Sequence, residues 1–238
     1  MWPLENQHLV AIRRCAQKIW LAYHPYAARR FFSRALSGLE LLIFRDGFRA
    51  LLIFFAAGFL VACEQKLPSP FKASDVTAKY AQADLRLTDH TGKPRTLADF
   101  RGKVVVLFFG YTHCPDVCPT TLADLAQVMR ILEKDAGRVQ VLFITVDPER
   151  DKPEMLGQYV PAFHPSFLAL YGDTLATEQV AKIFDVKYQK QPTTSGYNID
   201  HSAGTFLIDP AGRVRLLAPY GQRAEWLAED IRLLLAGV

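Results

Sequence analysis

Hydrophobic positions along this chain fall into short runs of two periods. Val104–Phe109 and Val139–Val146 are continuous apolar runs, which predicts strands covered on both faces. Thr120–Lys134 instead carries Leu122, Leu125, Val128, Met129 and Leu132 at helical spacing. Ala224–Leu235 does the same with Trp226, Leu227, Ile231, Leu234 and Leu235, and predicts a closing amphipathic helix. Before the first run, Asp84–Thr88 reads as a strand ended by the turn Asp89–Lys93. Thr96-Leu97-Ala98-Asp99 resembles a capping box for a short helical turn. After the second run, Pro153–Phe163 is a predicted helix with Asp151 as its cap and Glu154 three residues on. Leu175–Phe184 is a further helix candidate. Val186–Gln189 and Tyr197–Asp200 read as short strands around a polar loop, Gln191–Gly196. Ala203–Ile208 and Val214–Ala218 form a hairpin through Asp209-Pro210-Ala211-Gly212.

The order strand, helix, strand, helix, hairpin, helix predicts an α/β fold with a central mixed sheet flanked by helices. A strand that runs directly into a cysteine-bearing helix is the thioredoxin-like arrangement. Here that junction is Gly110-Tyr111-Thr112-His113-Cys114-Pro115-Asp116-Val117-Cys118-Pro119. Gly110 breaks the strand, and Pro115 falls where a first-turn proline loses no hydrogen bond. Cys114 and Cys118 are four apart, about one helical turn, on one face. Two thiols so placed form a disulfide or hold one soft metal ion. A helix N-terminus lowers thiol pKa, which suits either use. Two inert core cysteines are the bland alternative, and they need neither the flanking prolines nor the strand-to-helix context.

Charge separates the front of the chain from the rest. The net charge is +4 over 238 residues, half of them hydrophobic. Residues 1–62 hold 8 Lys/Arg against 3 Asp/Glu, so the remainder has 20 against 21. With no basic stripe interleaved with aromatics, residues 63–238 have no nucleic-acid surface to offer. The four cysteines are Cys15, Cys63, Cys114 and Cys118, too few for a structural disulfide framework once the front end is set aside.

Residues 1–44 read as a leader extended by a mis-assigned start, with a transit segment and a surface helix as alternatives. Residues 45–62 read as a signal peptide. Arg45 and Arg49 precede the 13-residue apolar run Ala50–Ala62, which is shorter than the ~20 residues a spanning helix needs. The run ends Leu60-Val61-Ala62-Cys63, which resembles the lipobox of bacterial lipoproteins. That resemblance implies lipid on Cys63; a short uncleaved anchor is the alternative. Residues 63–80, with Pro68, Ser69 and Pro70, read as a tether, and 81–238 as the folded domain.

Three stretches together resemble the Sco/SenC family, copper proteins of cytochrome c oxidase assembly. They are Gly110–Pro119, Val146-Asp147-Pro148-Glu149-Arg150-Asp151 and Tyr197-Asn198-Ile199-Asp200-His201-Ser202. The resemblance covers residues 80–236. It implies a thioredoxin-like fold, with copper held by Cys114, Cys118 and His201. It also implies a role for Asp147 near the site, in tuning the thiols or metal or in docking a partner. His113, beside Cys114, is read as a supporting residue. Two thiolates and an imidazole are a soft set suited to Cu(I) and able to accept Cu(II). A closed zinc site would need a fourth ligand. The implied function is a copper chaperone on the periplasmic side of a bacterial envelope, serving the copper-binding subunit of a haem-copper oxidase. Other copper chaperones or thiol reductants would be its further partners. The alternative is a thiol-disulfide oxidoreductase, with Cys114 and Cys118 as its redox pair, acting on that subunit's cysteines. A peroxiredoxin-type peroxidase shares the fold class, but cysteines paired on one turn fit it poorly.

Overall fold

A computed structural model describes residues 69–194 and 196–238. Cys15, Cys63 and the readings of 1–44 and 45–62 lie outside the described residues. Among the described residues, no helix is long and apolar enough to cross a membrane.

In chain order the strands are β1 (Ser74–Asp75), β2 (Arg86–Asp89), β3 (Pro94–Thr96), β4 (Val104–Gly110), β5 (Val139–Thr145) and β6 (Leu168–Tyr171). They continue as β7 (Tyr188–Thr193), β8 (Gly196–His201), β9 (Thr205–Ile208) and β10 (Val214–Ala218). The helices are α1 (Val117–Leu132), α2 (Pro153–Tyr159), α3 (Thr174–Ile183) and α4 (Ala224–Leu235). Eight strands make one sheet in the order β1-β10-β9-β4-β5-β6-β2-β3. The pairs β4–β5 and β5–β6 are parallel and the other pairs are antiparallel, so the mixed sheet expected from the sequence is found.

Strands β4 and β5 are the spine. Every residue of both is buried, and they pair in register from Val104↔Val139 to Gly110↔Thr145. Burying side chains such as Phe108 and Phe143 contributes about 1.5–3 kcal/mol each. The apolar side of α1 (Leu122, Leu125, Val128, Met129 and Leu132) is buried. Its C-terminal end is tied to α4, where the Arg232 guanidinium donates to the Ile131 carbonyl at 2.7 Å. The turn after β2 also follows expectation: the Asp89 carboxylate collects the Thr91 and Lys93 N–H groups and Arg95 Nε, while Gly92 takes a positive φ of 87°. The Thr96 N–H donates to the Asp99 carboxylate at 2.7 Å, the backward half of the expected capping box.

Four local readings are corrected. The fold begins before residue 81: Ala73 and Tyr80 are buried, and β1 pairs with Leu216–Leu217 of β10. The buried Asp230 carboxylate of α4 fixes this start by accepting from the Lys72 and Ala73 N–H groups at 2.7 and 2.8 Å. The polar stretch 191–196 is not an open loop. It extends the strands of a separate ribbon, β7–β8, paired from Tyr188↔His201 to Thr193↔Gly196. Helix α1 starts at Val117 rather than Thr120, with Asp116 before it, so Pro119 lies in the first turn and Pro115 outside the helix. Helix α2 ends at Tyr159, and its cap position is Lys152. Asp151 is instead 1% exposed and turned inward.

Candidate metal centre

The C-terminal end of β4 delivers the chain to the site. Gly110, read as a strand breaker, is the last residue of the strand and pairs with Thr145. A Cβ there would lie 2.9 Å from Cys118 Sγ and 2.8 Å from Phe143 Cε2. The missing side chain is the space that the sulfur occupies. Cys114 follows in a turn, its N–H donating to the Tyr111 carbonyl at 3.3 Å. Cys118 is the second residue of α1 and is fully buried, whereas Cys114 is partly exposed. Both are free thiols. The Cys118 N–H, one of the unpaired donors of the helix start, points at Cys114 Sγ at 3.4 Å.

His201, the last residue of β8, arrives from the other side, 83 positions later in the chain. Its Nε2 lies 3.3 Å from Cys118 Sγ. Its Nδ1 lies 3.0 Å from the Ser202 carbonyl, an acceptor only. Nδ1 therefore carries the hydrogen, and Nε2 faces the sulfurs with its lone pair. The Phe108 and Tyr111 rings meet the imidazole edge-on, with centroids 6.1 and 5.9 Å away. The ligand atoms of Cys114, Cys118 and His201 all lie within 4.8 Å of one another. Two soft sulfurs and one neutral nitrogen at this spacing fit a single copper ion.

Burial sets the charge state of these groups. It pushes the Cys118 thiol well above its ordinary value, against the expectation that the helix N-terminus would lower it. It also pushes the His201 imidazole below its ordinary 6.5. Both shifts keep Cys118 and His201 uncharged near neutral pH when no metal is bound. A depressed imidazole pKa contributes stability that is present above pH 6.5 and lost as pH falls through the lower folded value. A raised thiol pKa contributes stability that is present below the ordinary 9.0 and lost as pH rises toward the folded value. Melting of the metal-free protein across pH 5–10 is expected to show both losses. In His201→Ala the fall below pH 6.5 should shrink and the alkaline one should remain; an unchanged acid limb would remove His201 as its source.

Asp147 and His113 are not brought to the metal-ligand set. Asp147 is buried and accepts from the Tyr197 hydroxyl at 2.8 Å and from Arg150 Nε. Arg150 Nη1 in turn donates to the Tyr197 carbonyl at 2.8 Å, and its guanidinium lies 3.7 Å from the Tyr197 ring centroid. Asp147 and Arg150 thus clamp the β7–β8 ribbon that carries His201. The Tyr111 hydroxyl adds to this hold by accepting from the Ile199 N–H at 3.1 Å. Asp151 is no helix cap. Its carboxylate accepts from the Thr145 and Thr112 hydroxyls, both at 2.6 Å, and from the Thr112 N–H at 3.0 Å, tying the cysteine turn to β5. Gly110, Tyr111, Asp151, Arg150 and Tyr197 were missed as site residues, although all five lie inside the motifs quoted above.

Comparison with known proteins agrees with this geometry. The SCO1/SenC family profile matches residues 74–236. The chain belongs to that family. Among relatives of the SCO1/SenC family, human "Protein SCO2 homolog, mitochondrial" is 41% identical over 163 residues, which are 67% of this chain and 61% of that protein. The mouse protein of the same name is 42% identical over 163 residues, 67% of this chain and 64% of its own length. The chain therefore spans less than two thirds of these relatives. Bradyrhizobium japonicum ScoI, solved with copper bound, superposes with a TM-score of 0.60 at 38% identity, covering 64% of this chain and 98% of its own. Yeast Sco1 with copper bound gives a TM-score of 0.60 at 28% identity, covering 71% of this chain and 91% of its own. These are thioredoxin-like Sco structures, and the fold read from the sequence is theirs.

Proposed function

We propose that this protein binds one copper ion through Cys114, Cys118 and His201 and passes it to the copper-binding subunit of a haem-copper oxidase during assembly. The observation that carries this reading is the three-atom donor set within 4.8 Å. The copper bound in the ScoI and yeast Sco1 relatives supports it. Cu(I) would displace the thiol protons of both cysteines as two Cu–S bonds form, and the Nε2 lone pair needs no deprotonation. The partly exposed Cys114 suits exchange with an incoming ligand, and buried Cys118 suits retention. We place the domain outside the cytoplasm, held at the membrane through Cys63, because the run Ala50–Ala62 ends in a lipobox-like sequence.

The second reading is reduction of that subunit's cysteines by the Cys114–Cys118 dithiol. Two free thiols four residues apart favour it. Disulfide exchange, however, does not require an imidazole beside Cys118, whereas a three-coordinate copper site uses the one held 3.3 Å from its Sγ as a ligand. The two separate on one experiment. Full chain in detergent, loaded with one Cu(I), is mixed with the metal-free copper domain of the oxidase subunit, once with its cysteines reduced and once as a disulfide. The chaperone reading expects copper to move to the reduced form. No transfer of copper to the reduced form, while the metal-free protein reduces the disulfide form as its own Cys114 and Cys118 become a disulfide, would put the reductase first.

A further inference from the structure

The loop from β10 into α4 leaves aromatic side chains at the surface that the metal centre does not use. Tyr220 is 46% exposed and Trp226 43%. The Arg223 guanidinium lies 5.4 Å from the Trp226 ring centroid. Single exposed apolar residues are ordinary; what sets these apart is their position. Trp226 stands one helical turn before Asp230. The buried Asp230 carboxylate accepts from the Lys72 and Ala73 N–H groups, and from the Gln222 side chain at 3.5 Å. The patch therefore borders the point where the chain enters the domain.

The sheet puts this entry at the same end as the metal centre. Strand β10 runs parallel to β4, because both are antiparallel to β9 between them. Ala218, the last residue of β10, pairs with Thr205, and Thr205 pairs with Phe108, just short of the end of β4 at Gly110. The loop after Ala218 and the cysteine turn after Gly110 thus leave the sheet at one end. Strand β1 runs the other way, with Ser74 opposite Leu217, so Phe71 and Lys72 precede it at that same end. Three strand steps separate β1 from β4, about 14 Å at the usual spacing. From Cys63 to Phe71 is eight residues, which span at most about 29 Å.

We propose that Tyr220, Arg223 and Trp226 seat this end of the domain on the headgroup layer of the membrane. The proposal rests on the reading that Cys63 holds the protein there. A lipid on Cys63 keeps the patch within the tether's length of the bilayer, so docking is an intramolecular step that a small surface can drive. Tyrosine and tryptophan suit that layer, since each joins an apolar body to a polar tip. Arg223 is shared with Glu225 at 3.3 Å, and Glu229 is also exposed on α4. The patch is therefore not a basic one, and zwitterionic phospholipid is the lipid it fits. Seated this way, the domain opens its metal centre close to the bilayer surface rather than away from it.

The chain has three tryptophans, Trp2, Trp20 and Trp226. With Trp2→Phe and Trp20→Phe, Trp226 is the sole reporter whichever N-terminus the protein keeps. Protein expressed from this full-length chain is extracted from its membrane and returned to phosphatidylcholine vesicles, and flotation on a density gradient reads attachment. Lipid brominated near the headgroup end of its chains is expected to quench Trp226, and adding Tyr220→Ser with Arg223→Ser should reduce the quenching while flotation stays the same. Protein that floats with Trp226 unquenched overturns the docked face and leaves the anchor standing. The same result, with Trp226 emission moving only when the oxidase subunit's copper domain is added, would reassign the patch to a protein partner. Failure to float would strike the anchor at Cys63, and the docked face with it.

Discussion

His201→Ala is expected to weaken Cu(II) binding by about 100- to 1000-fold and Cu(I) binding by about tenfold. The asymmetry follows from the ligands that remain. Cu(I) is content with two thiolates, whereas the harder Cu(II) gains more from a nitrogen donor. Among the described residues no second imidazole is placed to take over: His113 lies outside the set of atoms gathered within 4.8 Å. Both sulfurs stay in place, so the variant should still cycle between dithiol and disulfide. Competition against a chelator for each oxidation state reads the two affinities. Equal losses for Cu(I) and Cu(II) would mean that His201 acts only as packing.

Gly110→Ala should damage the site from within the core. The new methyl would lie 2.9 Å from Cys118 Sγ, 2.8 Å from Phe143 Cε2 and 3.1 Å from Phe108 Cε1. Neither ring is the free end of a flexible chain, and both are fully buried, so backbone or sulfur has to shift. Overpacking of this kind destabilises by about 1–3 kcal/mol. For a domain of this size that lowers Tm by about 2–10 °C. The sulfur is the softest of the three contacts, so copper affinity should fall as well. An unchanged Tm together with unchanged copper binding would show that β4 and α1 can separate freely there.

The three proposed metal ligands are legible in the sequence because they lie in two short local motifs, Cys114 and Cys118 in one and His201 in the other. The supporting contacts were less legible for a physical reason. Asp151 sits three residues before Glu154, a capping pattern that nearby sequence alone suggests. Its real partner Thr112 is 39 residues away, and a contact of that separation leaves no periodic trace. Gly110 looked like a break because the atom that needs its space, Cys118 Sγ, arrives from the next helix. The β7–β8 ribbon was read too short because it does not alternate apolar and polar residues. Most of its residues are exposed, and Arg150 and Asp147 hold it through Tyr197 rather than through a buried face. The main sheet was clear for the opposite reason, since β4 and β5 are buried along their whole length.

The proposed copper delivery and thiol reduction divide most directly at His201, because a three-coordinate copper site needs it as a ligand and disulfide exchange does not require it. The measurement is oxidase activity in a strain deleted for this protein and complemented with His201→Ala at normal copper. Circular dichroism and melting of the variant must first match the parent. The folded variant, with Cys114 and Cys118 intact, is expected to fail to restore oxidase activity where the parent succeeds. Restoration to the parent's level would contradict it and leave the Cys114–Cys118 dithiol as the working group.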